Sequence, residues 1–185
     1  MDATLIAAVI AATISLISLA VQAENNYNLN KMEEKKLNAE IISKSRIEWI
    51  QTVRSIMADY LTEARSLLFL FAQIEEQMEY MSKQDDNIQR QKIQVNINEL
   101  IAEANGKLNT IFRLKNLLIL NFSDNEGNKK IIEEFTSVVD YLSELSIQIK
   151  NLKIHGMVNY QTIDKLAGTA RDYFKVEWDR AKNIQ

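Results

Sequence analysis

Six residues near the N-terminus have types and spacing suited to work inside a membrane. Thr4, Ala8, Ala11, Ser15, Ser18 and Gln22 follow one another at intervals of 4, 3, 4, 3 and 4. On a helix such intervals make a single stripe. Small side chains let two helices approach closely, and hydroxyl or amide groups can bond across the contact. The chemistry implied is association between membrane helices. In a second reading, Thr4, Ser15, Ser18 and Gln22 line a path for ions through an oligomer. In a third, the helix is a lone anchor whose Ser and Thr bond their own backbone four residues back.

Two later stretches combine Trp with charge: SRIEWIQTVR, residues 45–54, and YFKVEWDRAK, residues 173–182. Trp and Arg dominate binding hot spots, so Arg46, Trp49, Arg54, Trp178 and Arg180 form a candidate patch for a protein partner. The alternative is structural. Trp49 and Trp178 then seal one end of a helical core, with Arg46, Arg54 and Arg180 paired to Glu48, Glu177 or Asp179.

Enzymatic chemistry finds little purchase. The chain has no Cys and one His, His155, beside Gly156. A lone imidazole at a helix end favours the helix dipole. Zinc would need carboxylates almost alone. A di-iron bundle needs Glu-x-x-His on two helices, but the residue three before His155 is Leu152. Glu33-Glu34, Glu75-Glu76 and Glu133-Glu134 read as solvent-facing charge. No phosphate loop or nucleophile elbow occurs. The reading is of a protein without catalytic activity, catalytic residues, metal or cofactor. With a net charge of -3 and no basic stripe, nucleic acid is not an expected partner.

The elements that carry these residues are helical. There is no Pro and only four Gly in 185 residues, so little interrupts a helix. Residues 3–23 contain no charge. At about 1.5 Å per residue, such a helix matches the roughly 30 Å hydrocarbon core of a bilayer. Asp2 stands where a signal peptide carries a base, and the run exceeds the usual signal core, so an anchor is expected rather than a cleaved leader. Lys31, Lys35, Lys36, Lys44 and Arg46 follow the span. The positive-inside bias therefore puts the N-terminus outside and the rest in the cytoplasm. The expected organisation is a transmembrane helix at 1–23, a juxtamembrane neck at 24–45 and a cytoplasmic helical bundle at 46–185. ENNYNLN, residues 24–30, holds four Asn and is expected to fray at the headgroups.

Within the bundle the periodicity is strong. Ile50, Val53, Met57, Tyr60, Ala64, Leu67, Phe71, Ile74, Met78 and Met81 step by 3 and 4 without a break. SKQDDN at 82–87 ends that helix. A second face holds Ile97, Ile101, Ala104, Leu108 and Ile111, with a kink expected at Asn105-Gly106. Ser123 and Glu126 resemble a capping box before a helix bearing Phe135, Val138, Leu142, Leu145, Ile149 and Leu152. Gly156 would close it. The last helix, from about Tyr160 to Lys182, presents Ile163, Leu166, Ala170, Tyr173 or Phe174, and Trp178. The fold class is all-α: an N-terminal transmembrane helix, a helical neck and an antiparallel four-helix bundle.

The layout of span, neck, SRIEWIQTVR-type entry and Trp-bearing last helix resembles small single-pass membrane proteins of bacterial genomes and prophages. The resemblance implies a bacterial or phage source and a role in phage exclusion or defence, with a phage component as one candidate partner. It brings no catalytic residues. The expected function is a membrane-anchored, self-associating interaction protein whose partners are the lipid bilayer, further copies of itself and another protein. The alternative is an oligomeric pore or depolarising effector.

Overall fold

The computed structural model describes residues 2–123, 125–151 and 158–183, with the backbone alone at 3–9, 11 and 12. Four helices and no strand occur among the described residues: α1 (Ala3–Ser82), α2 (Asn87–Asn121), α3 (Glu126–Lys150) and α4 (Gln161–Lys182). The all-α expectation holds. Among the described residues, which exclude the side chains at 3–9, 11 and 12, no helix is long and apolar enough to cross a membrane.

α1 is one helix of 80 residues. The frayed juncture expected at ENNYNLN is absent, because 24–30 is helical throughout. Asn costs a helix well under 1 kcal/mol per residue, and no Pro or Gly stands in α1 to remove a donor or loosen the chain. α2 likewise continues through Asn105-Gly106.

The chain divides into two compact units, Met1–Ile47 with Arg180–Gln185, and Glu48–Asp179. In the first, the buried Ser43 hydroxyl donates to the Ala181 carbonyl at 2.8 Å. That carbonyl belongs to the last turn of α4, where the helix itself supplies no partner.

The second unit is a helical bundle. Trp49 meets Asn121, and Glu63 meets Lys107. Numbers rise along α1 as they fall along α2, so the two are antiparallel. Glu134 pairs with Lys165, and Asn128 bonds Tyr173, making α3 and α4 antiparallel as well. Tyr60 joins α1 to α3 by donating to the Phe135 carbonyl at 2.7 Å. The expected stripe from Ile50 to Ile74 is buried in full, while Met78 and Met81 are half-buried. In α2, Ile97, Ala104 and Ile111 are buried, and Ile101 and Leu108 partly so. Phe135, Val138, Leu142, Leu145 and Ile149 fill the α3 face. Leu152, His155 and Gly156 lie outside the described residues. The described part of α3 ends at Lys150, with Asn151 as its C-cap.

Two local expectations are corrected. The N-cap of α3 is Asn125, not Ser123. Its backbone is extended (φ -142°, ψ 158°) and its Oδ1 accepts from the Asn128 amide at 3.0 Å. An Asn side chain two residues nearer the helix reaches that amide directly. Ser123 instead supports the cap, its Oγ accepting from Asn125 Nδ2 at 2.7 Å. In α4 the buried stripe ends on Phe174, Glu177 and Ala181 rather than Trp178. Spacing governs here. From Ala170 the steps of 4, 3 and 4 lead to 174, 177 and 181, whatever the size of the side chain at 178.

Candidate interaction surfaces

The membrane-stripe residues all fall within α1. The side chains of Thr4, Ala8 and Ala11 lie outside the described residues. Ser15, Ser18 and Gln22 are exposed. Ser15 has a polar partner. Around them Ile10, Ile14, Leu16, Ile17, Leu19 and Val21 are each more than half exposed. In other proteins, large exposed apolar surfaces are found at membrane and protein contacts.

The intervals of the stripe do not stop at Gln22. The same 3 and 4 steps pass through Asn25, Leu29, Met32, Lys36, Ala39, Ser43 and Arg46, and arrive at Ile50, the first core residue of the bundle. One heptad register therefore runs along α1. Leu29 and Met32, in that register, are exposed.

Of the candidate partner patch, Trp49, Arg54 and Trp178 belong to the second unit, and Arg46 and Arg180 to the first. Arg46 and Arg180 each have a partner.

Trp49 closes one end of the bundle. Its indole N–H donates to the Asn121 carbonyl at 2.8 Å, one of the four carbonyls that the end of α2 leaves unpaired. Its ring stands edge-on to Phe122 at 6.1 Å, and Phe122 packs on Phe135 at 6.0 Å and on Tyr173 at 5.5 Å. Polar bonds lock the same end: Tyr173 donates to Asn128 Oδ1 at 2.6 Å, and Asn128 Nδ2 donates to the Ser123 carbonyl at 2.8 Å. Trp49 thus sits at the end of the core, with Phe122 as its aromatic neighbour and Tyr173 on the far side of Phe122. Phe122 is hidden in the sequence because NFSDNEGN looks like a polar loop. A large apolar residue isolated in such a loop is the available signal. Deeper in the core, burial pushes the Tyr60 phenol well above its usual range, and the Asp140 carboxylate adds in the same direction.

Trp178 does other work. With Arg54 it lines an open groove of about 470 Å³ where α1 meets α4. The floor is apolar: Met57 and Leu61 from α1, Ala170, Phe174 and Trp178 from α4. Small Ala58 and Ala167 leave it wide. Its charged lining is Arg54, Arg171 and Lys175, with no acidic residue. The expected pairing of Arg54 is absent. Among the described residues none of these three cations forms an ion pair.

No group of three or more His, Asp or Glu among the described residues is placed to hold a metal. No family model, curated protein or solved structure matches the chain.

Proposed function

We propose that this protein is a membrane-anchored, self-associating interaction module, with residues 3–23 crossing the bilayer and the bundle on the cytoplasmic side. It acts by binding rather than by catalysis. One observation carries the reading: an uncharged helical segment of bilayer length whose described aliphatic side chains are all exposed. In water that surface is costly, at about 25 cal/mol for each Å². Lipid removes the cost. The Lys and Arg residues after the segment give the orientation. The resemblance to single-pass prophage proteins points to phage exclusion as the setting.

Self-association is supported by the heptad register. A 3.5-residue repeat drifts by about 20° per heptad on a straight helix. Only supercoiling around a partner keeps such a stripe in contact along its length. A polar Asn25 among Leu29 and Met32 is the kind of residue that fixes register at some cost in stability. Substituting Ala8, Ala11 and Ser15 with Leu should lower the cross-linked oligomer order in detergent. An unchanged ladder would count against the association surface. A membrane-potential dye during overexpression separates this module from a pore, since a binding module leaves the potential intact.

A further inference from the structure

The groove between α1 and α4 combines unpaired positive charge, an apolar floor and an open shape. Three observations converge on it. The first is charge. Arg171 and Lys175 stand one turn apart on α4, and like charges at that spacing destabilise a helix by a few tenths of a kcal/mol. Nearby acids do not relieve them. Asp172 and Asp179 are within reach of Lys175 along the helix, yet neither forms an ion pair with it. Arg54 brings a third exposed cation from α1. A chain of net charge -3 thus gathers three unpaired cations on one groove with no acid in its lining. A local cost without a gain inside the fold points to a use outside it.

The second observation is the floor. Half-buried Trp178 supplies aromatic surface and half-buried Leu61 aliphatic surface, backed by the core residues Met57 and Phe174. Trp is enriched where proteins bind proteins. The third is shape. The groove is open, and its α4 wall runs from Ala167 to Trp178, roughly 17 Å at the helical rise. That length takes the i, i+3 or i+4, and i+7 anchors of a docked helix. Ala58 and Ala167 stand where larger side chains would hold such a helix away.

We infer that this groove docks an amphipathic helix of a second protein, with apolar side chains seated over Trp178 and Leu61, and Asp or Glu on both flanks meeting Arg54, Arg171 and Lys175. The inference rests on reading the bundle as an interaction module and names the chemistry of its partner. A nucleic acid would call for a wider basic field. A flat bilayer does not enter a concave groove.

The test is a displayed library of helices of about 14 residues, with Leu at the anchor spacing and Glu, Gln or Lys at random elsewhere. It is panned against the full chain in detergent. Acidic sequences should be enriched. A chosen peptide should bind the R54A/R171A/K175A variant about tenfold more weakly, from roughly a factor of two for each exposed contact. Circular dichroism checks that this variant stays helical. R171E/K175E should reject the acidic peptide and accept its Glu-to-Lys counterpart. No enrichment, enrichment of neutral or basic peptides, or unchanged affinity in the triple variant would each overturn the inference. So would loss of phosphatidylglycerol-vesicle binding in that variant, which would make the occupant a lipid. Cross-linking of two copies through Ala58→Cys would make it a second copy and would overturn the inference equally. Membrane extraction of the chain reads the anchor independently, so a failed groove and a failed anchor remain distinguishable.

Discussion

Tyr60→Phe separates two effects that one hydroxyl exerts on the bundle. Tyr60 is fully buried, and its hydroxyl donates to the Phe135 carbonyl at 2.7 Å. Near neutral pH the variant loses that bond and should be less stable by about 1 kcal/mol. The sign changes in alkali. Burial raises the folded-state pKa of this phenol, and Asp140 adds to the rise. A raised folded pKa means that the contribution is complete below the unfolded value and is lost as pH climbs beyond it. Unfolded Tyr ionises near pH 10, so by about pH 11 the wild type should have lost roughly 1.4 kcal/mol through this one group. Phe does not titrate. The stability difference should therefore shrink above pH 10 and reach zero or invert near pH 11. Urea titrations followed by Trp fluorescence, run on both proteins at matched pH, measure the difference directly. The other five Tyr and the Lys residues cancel between the two proteins. A difference that stays constant from neutral pH to pH 11 would refute the burial argument.

Phe122→Ala should cost about 3–5 kcal/mol in the same assay, because Phe122 is buried and touches Trp49, Phe135 and Tyr173. Trp49→Phe keeps an aromatic ring but removes the donor to Asn121, and a loss of about 1 kcal/mol is expected. Gly106→Ala should raise stability by about 0.5–1 kcal/mol, since nothing lies within 4 Å of the added methyl; a loss would show that Gly106 serves a bend. Glu63→Gln should cost about 1 kcal/mol, and less in high salt, because the pair with Lys107 is part-buried and still reached by solvent.

The bundle is legible wherever burial follows spacing. The steps from Ile50 to Ile74 name the core face of α1 without reference to any partner helix. At Trp178 side-chain size and interval point to different residues, and the interval wins, with Glu177 and Ala181 turned inward. Caps are harder. Ser123 and Asn125 both have capping side chains, and only the extended backbone at 125 decides between them. The Asn cluster at 24–30 misleads because propensity differences of a few tenths of a kcal/mol do not break a helix held on both sides. The α1–α4 groove is only half visible. Arg54 and Trp178 stand out by type, but Arg171 and Lys175 look like ordinary surface charge until the fold sets them around one apolar floor.

The proposed function requires residues 3–23 to lie across a bilayer. Alkaline carbonate extraction of cell membranes, comparing the full chain with a form lacking those residues, addresses this directly. The full chain should stay in the membrane pellet and the shortened one should pass to the supernatant. A full chain released with the shortened one would mean that residues 3–23 do not hold the protein in the bilayer.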